Sequence, residues 1–541
     1  MYGAPVYIMK EGTERTRGKD AQRNNILAAR AVSEAIRSAL GPKGMDKMLI
    51  DNFGDTTVTN DGATILKEIE VSHPAAKFLI DLSKTQDQET GDGTTSVVVL
   101  AGELLKQAEE LLDIEVHPSI IVEGYKNARF KAIEILEEMA IEVSFEDEDI
   151  LNYVSQTSMS SKIISGEKEA LSKIIVKAVK SITEEKDGKY VANIDNIQIQ
   201  KKKGGSLDDT ELIDGIILDK EFVHADMPKK VTGAKILLLD KGLELSKTEI
   251  DAKINITSPD QIQAFLDNEQ NMLKEMADKI IASGANVVLC QKGIDDIIQH
   301  YLAKEGISAV RRIKKSDMDK LAKATSAQVT TSLDDLTQYI GNAALAEEKS
   351  ISDDNMIFIT GCTNPKAVSI VIRGGTEMIV NEADRAIHDA LCVVRQVIQD
   401  KKVVPGGGAP EIQMSQKLRL FAKEQTSKVQ LAIEKFAKAV EIIPRTLAEN
   451  AGLDPIDVLA ELHVQHSNVG DVFGVNPFAS KVDDMSKLNV WEPISVKLQA
   501  ISSAAEAAEM ILRIDDVIAA KELSGGGPPM PPGGGGMPED Y

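Results

Sequence analysis

Apolar positions recur at helical spacing through residues 20–40, where Ile26, Leu27, Val32, Ile36 and Leu40 mark one face of an amphipathic helix. Gly41-Pro42 closes it, because glycine suits a left-handed cap and proline cannot continue the ladder. Two short strands, 48–51 and 56–59, flank the turn 52–55, and Asn60-Asp61-Gly62 is a further turn signal. Helical patterns then run through 64–84, 96–112 and 118–140. From about residue 144 the texture changes. Acids cluster at 146–149, a helix is expected at 167–184, and strand-like alternation from 190 to 218 is broken by Lys201-Lys202-Lys203-Gly204-Gly205. Apolar runs at 234–239, 285–290 and 308–310 are candidate buried strands, with helices expected at 259–283, 293–304 and 316–326. Strands alternating with helices make 214–368 a small α/β unit. Beyond Arg373-Gly374-Gly375 long helices return, to 467 and again after Val496, and the Gly/Pro/Met-rich tail 525–541 is expected to be disordered. The order helical, mixed, α/β, mixed, helical is what an insertion nested within an insertion produces. The two outer blocks would then pack as one domain.

At 541 residues the chain exceeds one ordinary core, so two or three domains are expected. The net charge of −23 argues against nucleic acid as a partner, since strands of either kind need a basic footprint. Aromatics are only 4% of the chain, so the core must be built from Ile, Leu, Val, Ala and Met. Cys290, Cys362 and Cys392 are far apart and odd in number, which argues against a disulfide framework or zinc site and points to a reducing compartment. The N-terminus lacks the basic-then-apolar order of a signal peptide, and no apolar run is long enough to cross a bilayer. A cytoplasmic protein without a membrane partner is expected.

Candidate chemistry begins with Gly91-Asp92-Gly93-Thr94-Thr95, placed just before the apolar-periodic run from Ser96. Glycines let backbone N–H groups approach an anion, helix N-termini favour negative charge, and a lone carboxylate suits Mg²⁺, whose shell is completed by water and phosphate. In isolation such a segment is an ordinary turn. Three others accompany it. Leu40-Gly-Pro-Lys-Gly-Met-Asp-Lys47 sets two glycines and a lysine after a helix but lacks Walker A spacing. Thr59-Asn-Asp-Gly-Ala-Thr64 again sets an acid beside a glycine before a helix, so Asp61 and Asp92 can serve one metal–phosphate centre. Gly406-Gly407-Gly408 is flanked by apolar helical sequence, not linker sequence, and close backbone approach to a flat or anionic ligand accounts for it. Asp389 lies on a helical pattern with Ile387, Leu391, Val394 and Val397, where a solvent-facing acid is the alternative.

With Arg373-Gly-Gly375 and His388-Asp-Ala-Leu391, these motifs in this order resemble the group II chaperonins, the family of archaeal thermosome and eukaryotic TRiC subunits, across residues 10–520. The resemblance implies a multidomain α+β fold. A mostly helical equatorial ATP-binding domain would span 1–143 and 405–541. A small mixed intermediate domain would span 144–213 and 369–404. An α/β apical domain, 214–368, would bind substrate and carry a helical lid protrusion near 244–276, whose Ile254, Ile256, Ile262 and Phe265 would meet unfolded chains. The resemblance further implies that Leu40, Gly41, Pro42, Gly62, Gly91, Asp92, Gly93, Thr94, Thr95 and Ser96 surround ATP, with Asp92 on Mg²⁺. Asp61 would lie near the γ-phosphate and the attacking water, and Asp389 would arrive on closure to activate that water. Gly407 would pack beside the base or ribose, Glu492 in Trp491-Glu492-Pro493 would bond the ribose, and Lys162 would sense the γ-phosphate, an ordinary surface lysine being the other reading. The expected protein is an ATP-hydrolysing chaperone enclosing unfolded polypeptides in two stacked rings of eight or nine like or mixed subunits. The alternatives are an ATP-dependent small-molecule kinase or ligase and a non-hydrolysing scaffold.

Overall fold

The computed structural model describes residues 14–50, 54, 56–162, 166–245, 259–351, 354–362 and 366–519. Three hydrophobic clusters organise it. The first surrounds the helix Thr94–Asp113, whose Val97, Val98, Val99, Leu100, Ala101, Leu104, Leu105, Ala108 and Leu111 are all buried. A helix apolar on every side needs cover on every side. Gly18–Arg37, Pro74–Thr90, Val429–Val440 and Ile494–Leu512 supply it. Gly102 permits the tight crossing with Gly18–Arg37, since a Cβ there would overlap Ser33. The first and last described strands meet on the same body: Glu14–Arg17 pairs antiparallel with Asp516–Ala519.

Two sequence expectations change here. The helix expected over 64–84 is two helices, Gly62–Glu68 and Pro74–Thr90. Pro74 starts the second, and His73 caps it by accepting the Ala75 N–H. Leu27, placed on the buried face of the first helix, is 62% exposed.

The second cluster packs Glu148–Met159, Lys168–Ile182 and Glu377–Asp400 on a three-stranded sheet. Its middle strand, Val368–Gly374, runs parallel to Ile197–Lys203 and antiparallel to Glu211–Ile213. The acids at 146–149 prove to be the start of a helix the periodicity did not mark: Asp147 caps it through the Ile150 N–H, and Glu148 and Asp149 occupy the first turn, where the helix dipole favours them.

The third cluster fills a seven-stranded mixed sheet. Ser308–Val310, Val287–Cys290 and Lys230–Leu239 are mutually parallel, followed by Gly341–Ile351, Asp354–Cys362 and Gly215–Leu218 in antiparallel order, and Val329–Thr330 pairs parallel with the end of Lys230–Leu239 as the seventh strand. The hairpin Gly341–Ile351/Asp354–Cys362 was not expected. Its first strand carries Asn342, Glu347, Glu348, Lys349 and Ser350, and a strand covered on one face shows no continuous apolar run. The helix Pro259–Ala282 lies where one was expected, with Phe265, Leu266 and Met272 exposed. Ile254 and Ile256 of the expected protrusion, the Ile262 side chain and the tail 525–541 lie outside the described residues. Among those residues no helix is long and apolar enough to cross a membrane, and Cys290, Cys362 and Cys392 are free and buried.

The chain leaves the first cluster after Met139, runs through the second into the third from Ile216 to Ala367, returns through the second, and rejoins the first at Val404. Residues distant in sequence therefore meet where the first and second clusters adjoin.

Candidate functional site

A cavity of about 450 Å³ opens at that junction, lined from both clusters. Its walls include Leu40, Gly41, Pro42, Asp61, Gly62, Asp92, Gly93, Thr94, Thr95, Ser96, Lys162, Asp389, Gly407 and Glu492.

The Gly-Asp-Gly turn is the hinge between two helices. Gly91 (φ 71°) caps Pro74–Thr90 and Gly93 (φ 79°) caps Thr94–Asp113, both left-handed. Gln86 Nε2 and Thr90 Oγ1 each donate to the Asp92 carbonyl at 3.0 Å, and the Gly93 N–H donates to Asp92 Oδ1 at 2.6 Å. No side chain caps the start of Thr94–Asp113, so its first N–H groups remain available at the cavity wall. Gly91 itself does not line the cavity. Its missing Cβ faces Cys392, 2.6 Å from Sγ, so this glycine serves chain packing and not ligand approach.

Asp61 caps Gly62–Glu68, accepting from the Thr64 N–H at 2.9 Å and Thr64 Oγ1 at 2.7 Å. Thr94 Oγ1 reaches it at 3.3 Å, which ties the two acidic turns together. Burial works against the Asp61 carboxylate, but Lys162 and the Thr64 and Ala63 hydrogen bonds outweigh it and hold the group below its usual range.

Lys162 is no surface lysine: its side chain is 6% exposed and ion-paired with Asp389 Oδ2. Burial opposes its charge, but Asp389, Asp61 and Asp92 together keep the ammonium protonated. Asp389, on Glu377–Asp400, is likewise buried and already lines the cavity. Burial pushes its carboxyl well above the usual range against the pull of Lys162, and Asp61 and Asp92 add to the rise. Two neighbouring carboxyls are thus driven apart in acidity, the arrangement that separates a fixed anion from a base.

The three glycines have a different explanation from the one the sequence suggested. A Cβ at Gly406 would lie 2.8 Å from Glu492 Oε1, at Gly407 2.6 Å from Met485 Sδ, and at Gly408 2.7 Å from Pro444 Cβ. Protein groups, not ligand, fill those spaces, although Gly407 does face the cavity. Glu492 sits on Trp491–Pro493, paired with Lys402–Pro405 so that Val404 opposes it. Its carboxylate meets Lys497 Nζ at 2.6 Å, and Lys497 meets Glu411 at 2.9 Å. Sequence reasoning missed Lys497 and the role of Glu411, although Glu411 ends the Gly406–Glu411 motif. It also missed Lys168 and the apolar wall of Pro477, Phe478, Met485 and Val490.

The cleft gathers uncapped helix-start N–H groups, the buried Lys162 ammonium, the Asp61, Asp92 and Asp389 carboxyls and the Glu411–Lys497–Glu492 cluster, and a nested three-cluster fold with such a cleft is that of a chaperonin subunit. The chain belongs to the TCP-1/cpn60 chaperonin family, whose model matches residues 32–522. Among its relatives, thermosome subunit beta of Archaeoglobus fulgidus is 59% identical over 97% of this chain and 96% of its own length. The thermosome subunit of Pyrococcus abyssi is 56% identical over 96% and 95%, and that of Methanopyrus kandleri 55% over 96% and 96%. Nothing in these matches points to the kinase or ligase alternative.

Proposed function

We propose that this group II chaperonin subunit hydrolyses Mg²⁺-ATP in the cavity and uses the cycle to enclose and release non-native polypeptide. The observation that carries this is the gathering of Asp61, Asp92, Asp389 and Lys162 around one cleft from segments more than 300 residues apart. Asp92 would hold the magnesium, whose charge would neutralise the phosphate oxygens. The N–H groups of 94–96 would hold the phosphates, and Lys162 would balance charge at the γ-phosphate. Asp389, made basic by burial, takes the proton of the attacking water, while Asp61 stays ionised and orients it. In this reading 1–143 with 405–541 form the equatorial domain, 144–213 with 369–404 the intermediate domain, and 214–368 the apical domain with its lid. The assembly would be two stacked rings of eight or nine in the cytoplasm.

Light scattering combined with ATP turnover tests this. A megadalton-scale particle is expected whose turnover disappears when EDTA removes magnesium. A monomer or dimer stimulated by a metabolite would favour the kinase or ligase reading. A large particle with only background turnover would favour the scaffold.

The raised Asp389 carboxyl gives a pH prediction. A base is active only when deprotonated, so turnover should fall on acidification through a midpoint above the ordinary carboxylate range, not at pH 4 as for a free aspartate. A pH–rate profile whose acid limb lies near that ordinary value would contradict the assigned role.

A further inference from the structure

We propose that Lys497 is a positioning residue that fixes Glu492 as the acceptor for the ribose hydroxyls, so that the cavity selects ribonucleotides over deoxyribonucleotides. This rests on the cavity being the nucleotide site.

The clamp draws on three elements. Glu492 comes from Trp491–Pro493, Glu411 from the first turn of Ala409–Lys423, and Lys497 from the first turn of Ile494–Leu512. An ammonium in the first turn of a helix opposes the helix dipole, and burying it costs solvation besides. Lys497 is nonetheless only 10% exposed, and the flanking carboxylates outweigh burial and keep it charged. Its contacts show what offsets that cost. Nζ lies 2.9 Å from Glu411 Oε1 and 2.6 Å from Glu492 Oε2.

The three members are not equivalent. The Glu411 side chain is 7% exposed, its Oε1 accepts from Lys497 Nζ, and its Oε2 is buried without a hydrogen-bond partner although the residue also borders the cavity. The Glu492 side chain is 26% exposed and lines the cavity. Lys497 holds its Oε2, while Oε1 lies on the side of Gly406. One carboxylate oxygen is thus held in place and the other presented. The clamp carries one positive and two negative charges, so it repels phosphate and suits a neutral donor. Vicinal hydroxyls are such donors, and a carboxylate accepts from them strongly. A site built around a hydroxyl rejects the analogue that lacks it, because the buried acceptor is then left unpaired. Without Lys497, Glu411 and Glu492 would confront each other in a buried site, one would take a proton, and the fixed acceptor would be lost.

The test is calorimetric binding of ATP and deoxyATP, each with Mg²⁺, to the assembled wild type, Lys497→Gln and Glu411→Gln. Wild type should prefer ATP by about tenfold or more. Lys497→Gln should bind both with a ratio near one, whereas Glu411→Gln, which leaves the ammonium on Glu492, should keep the preference. If Lys497→Gln does not assemble, Lys497→Met/Glu411→Leu removes the clamp with its buried counter-charge and should also lose the preference. A preference retained in either Lys497 variant overturns the proposal and leaves the ATP site standing. Equal binding by wild type overturns the proposal likewise. Failure of wild type to bind either nucleotide overturns the reading of the cavity itself, and the proposal with it.

Discussion

Replacing Asp389 with alanine should lower ATP turnover by about 10²–10⁴-fold, the usual worth of a general base, while particle size and ATP affinity stay near wild type. The asymmetry follows from where the residue sits. Asp389 belongs to Glu377–Asp400, in the second cluster, whereas the backbone donors and Asp92 belong to the first. Removing it takes nothing from the groups that would hold the phosphates. It does release Lys162, whose remaining carboxylate neighbours Asp61 and Asp92 still favour its charge. Affinity for a triphosphate should therefore be kept or rise slightly. Asp389→Asn is the sharper variant, because it keeps the shape and removes only the basicity. Single-turnover hydrolysis with a parallel binding titration separates the two effects. Normal turnover in either variant would remove Asp389 from the chemistry, and a loss of binding equal to the loss of rate would make it a binding group.

Local sequence marked the parts of the site that are themselves local. Asp61 before Gly62–Glu68 and Asp92 between two glycines are turn-and-helix-start signals, and the structure places both at the cavity wall. Asp389 was marked by the helical pattern it shares with Ile387, Leu391, Val394 and Val397, which are buried as the spacing implies. What was not legible depends on pairings across the chain. Lys497 and Glu411 are 86 positions apart, and neither has local meaning without the other. The glycines were recognised as positions needing room, but what fills that room (Cys392, Met485, Pro444) comes from other segments. The same limit explains the missed hairpin over 341–362: its partners, not its own pattern, bury it. The α+β chaperonin fold was legible because its motifs, although scattered, occur in a fixed order.

Gly91→Ala should be among the most destabilising single-methyl changes in this chain, although residue 91 does not line the cavity described above. Two costs combine. An L-residue at φ 71° forfeits about 1–2 kcal/mol. The added Cβ would also sit 2.6 Å from Cys392 Sγ and closer still to its Cβ, and overpacking of a rigid contact costs about 1–3 kcal/mol more. The neighbour cannot simply turn aside, because the overlap includes a Cβ fixed by the helix Glu377–Asp400. That helix also carries Asp389, and the turn at Gly91 also carries Asp92. The expected outcome is a lower apparent melting temperature by scanning calorimetry together with slower hydrolysis, since moving the helix would move Asp389, the proposed base, relative to the turn that carries Asp92. Cys392→Gly added to Gly91→Ala separates the two costs. It removes the overlap, so part of both losses should return, while the backbone cost at 91 and a new helix glycine remain. Hydrolysis that stays at the wild-type rate in Gly91→Ala, despite a lowered melting temperature, would show that this contact holds the subunit together without setting the position of Asp389.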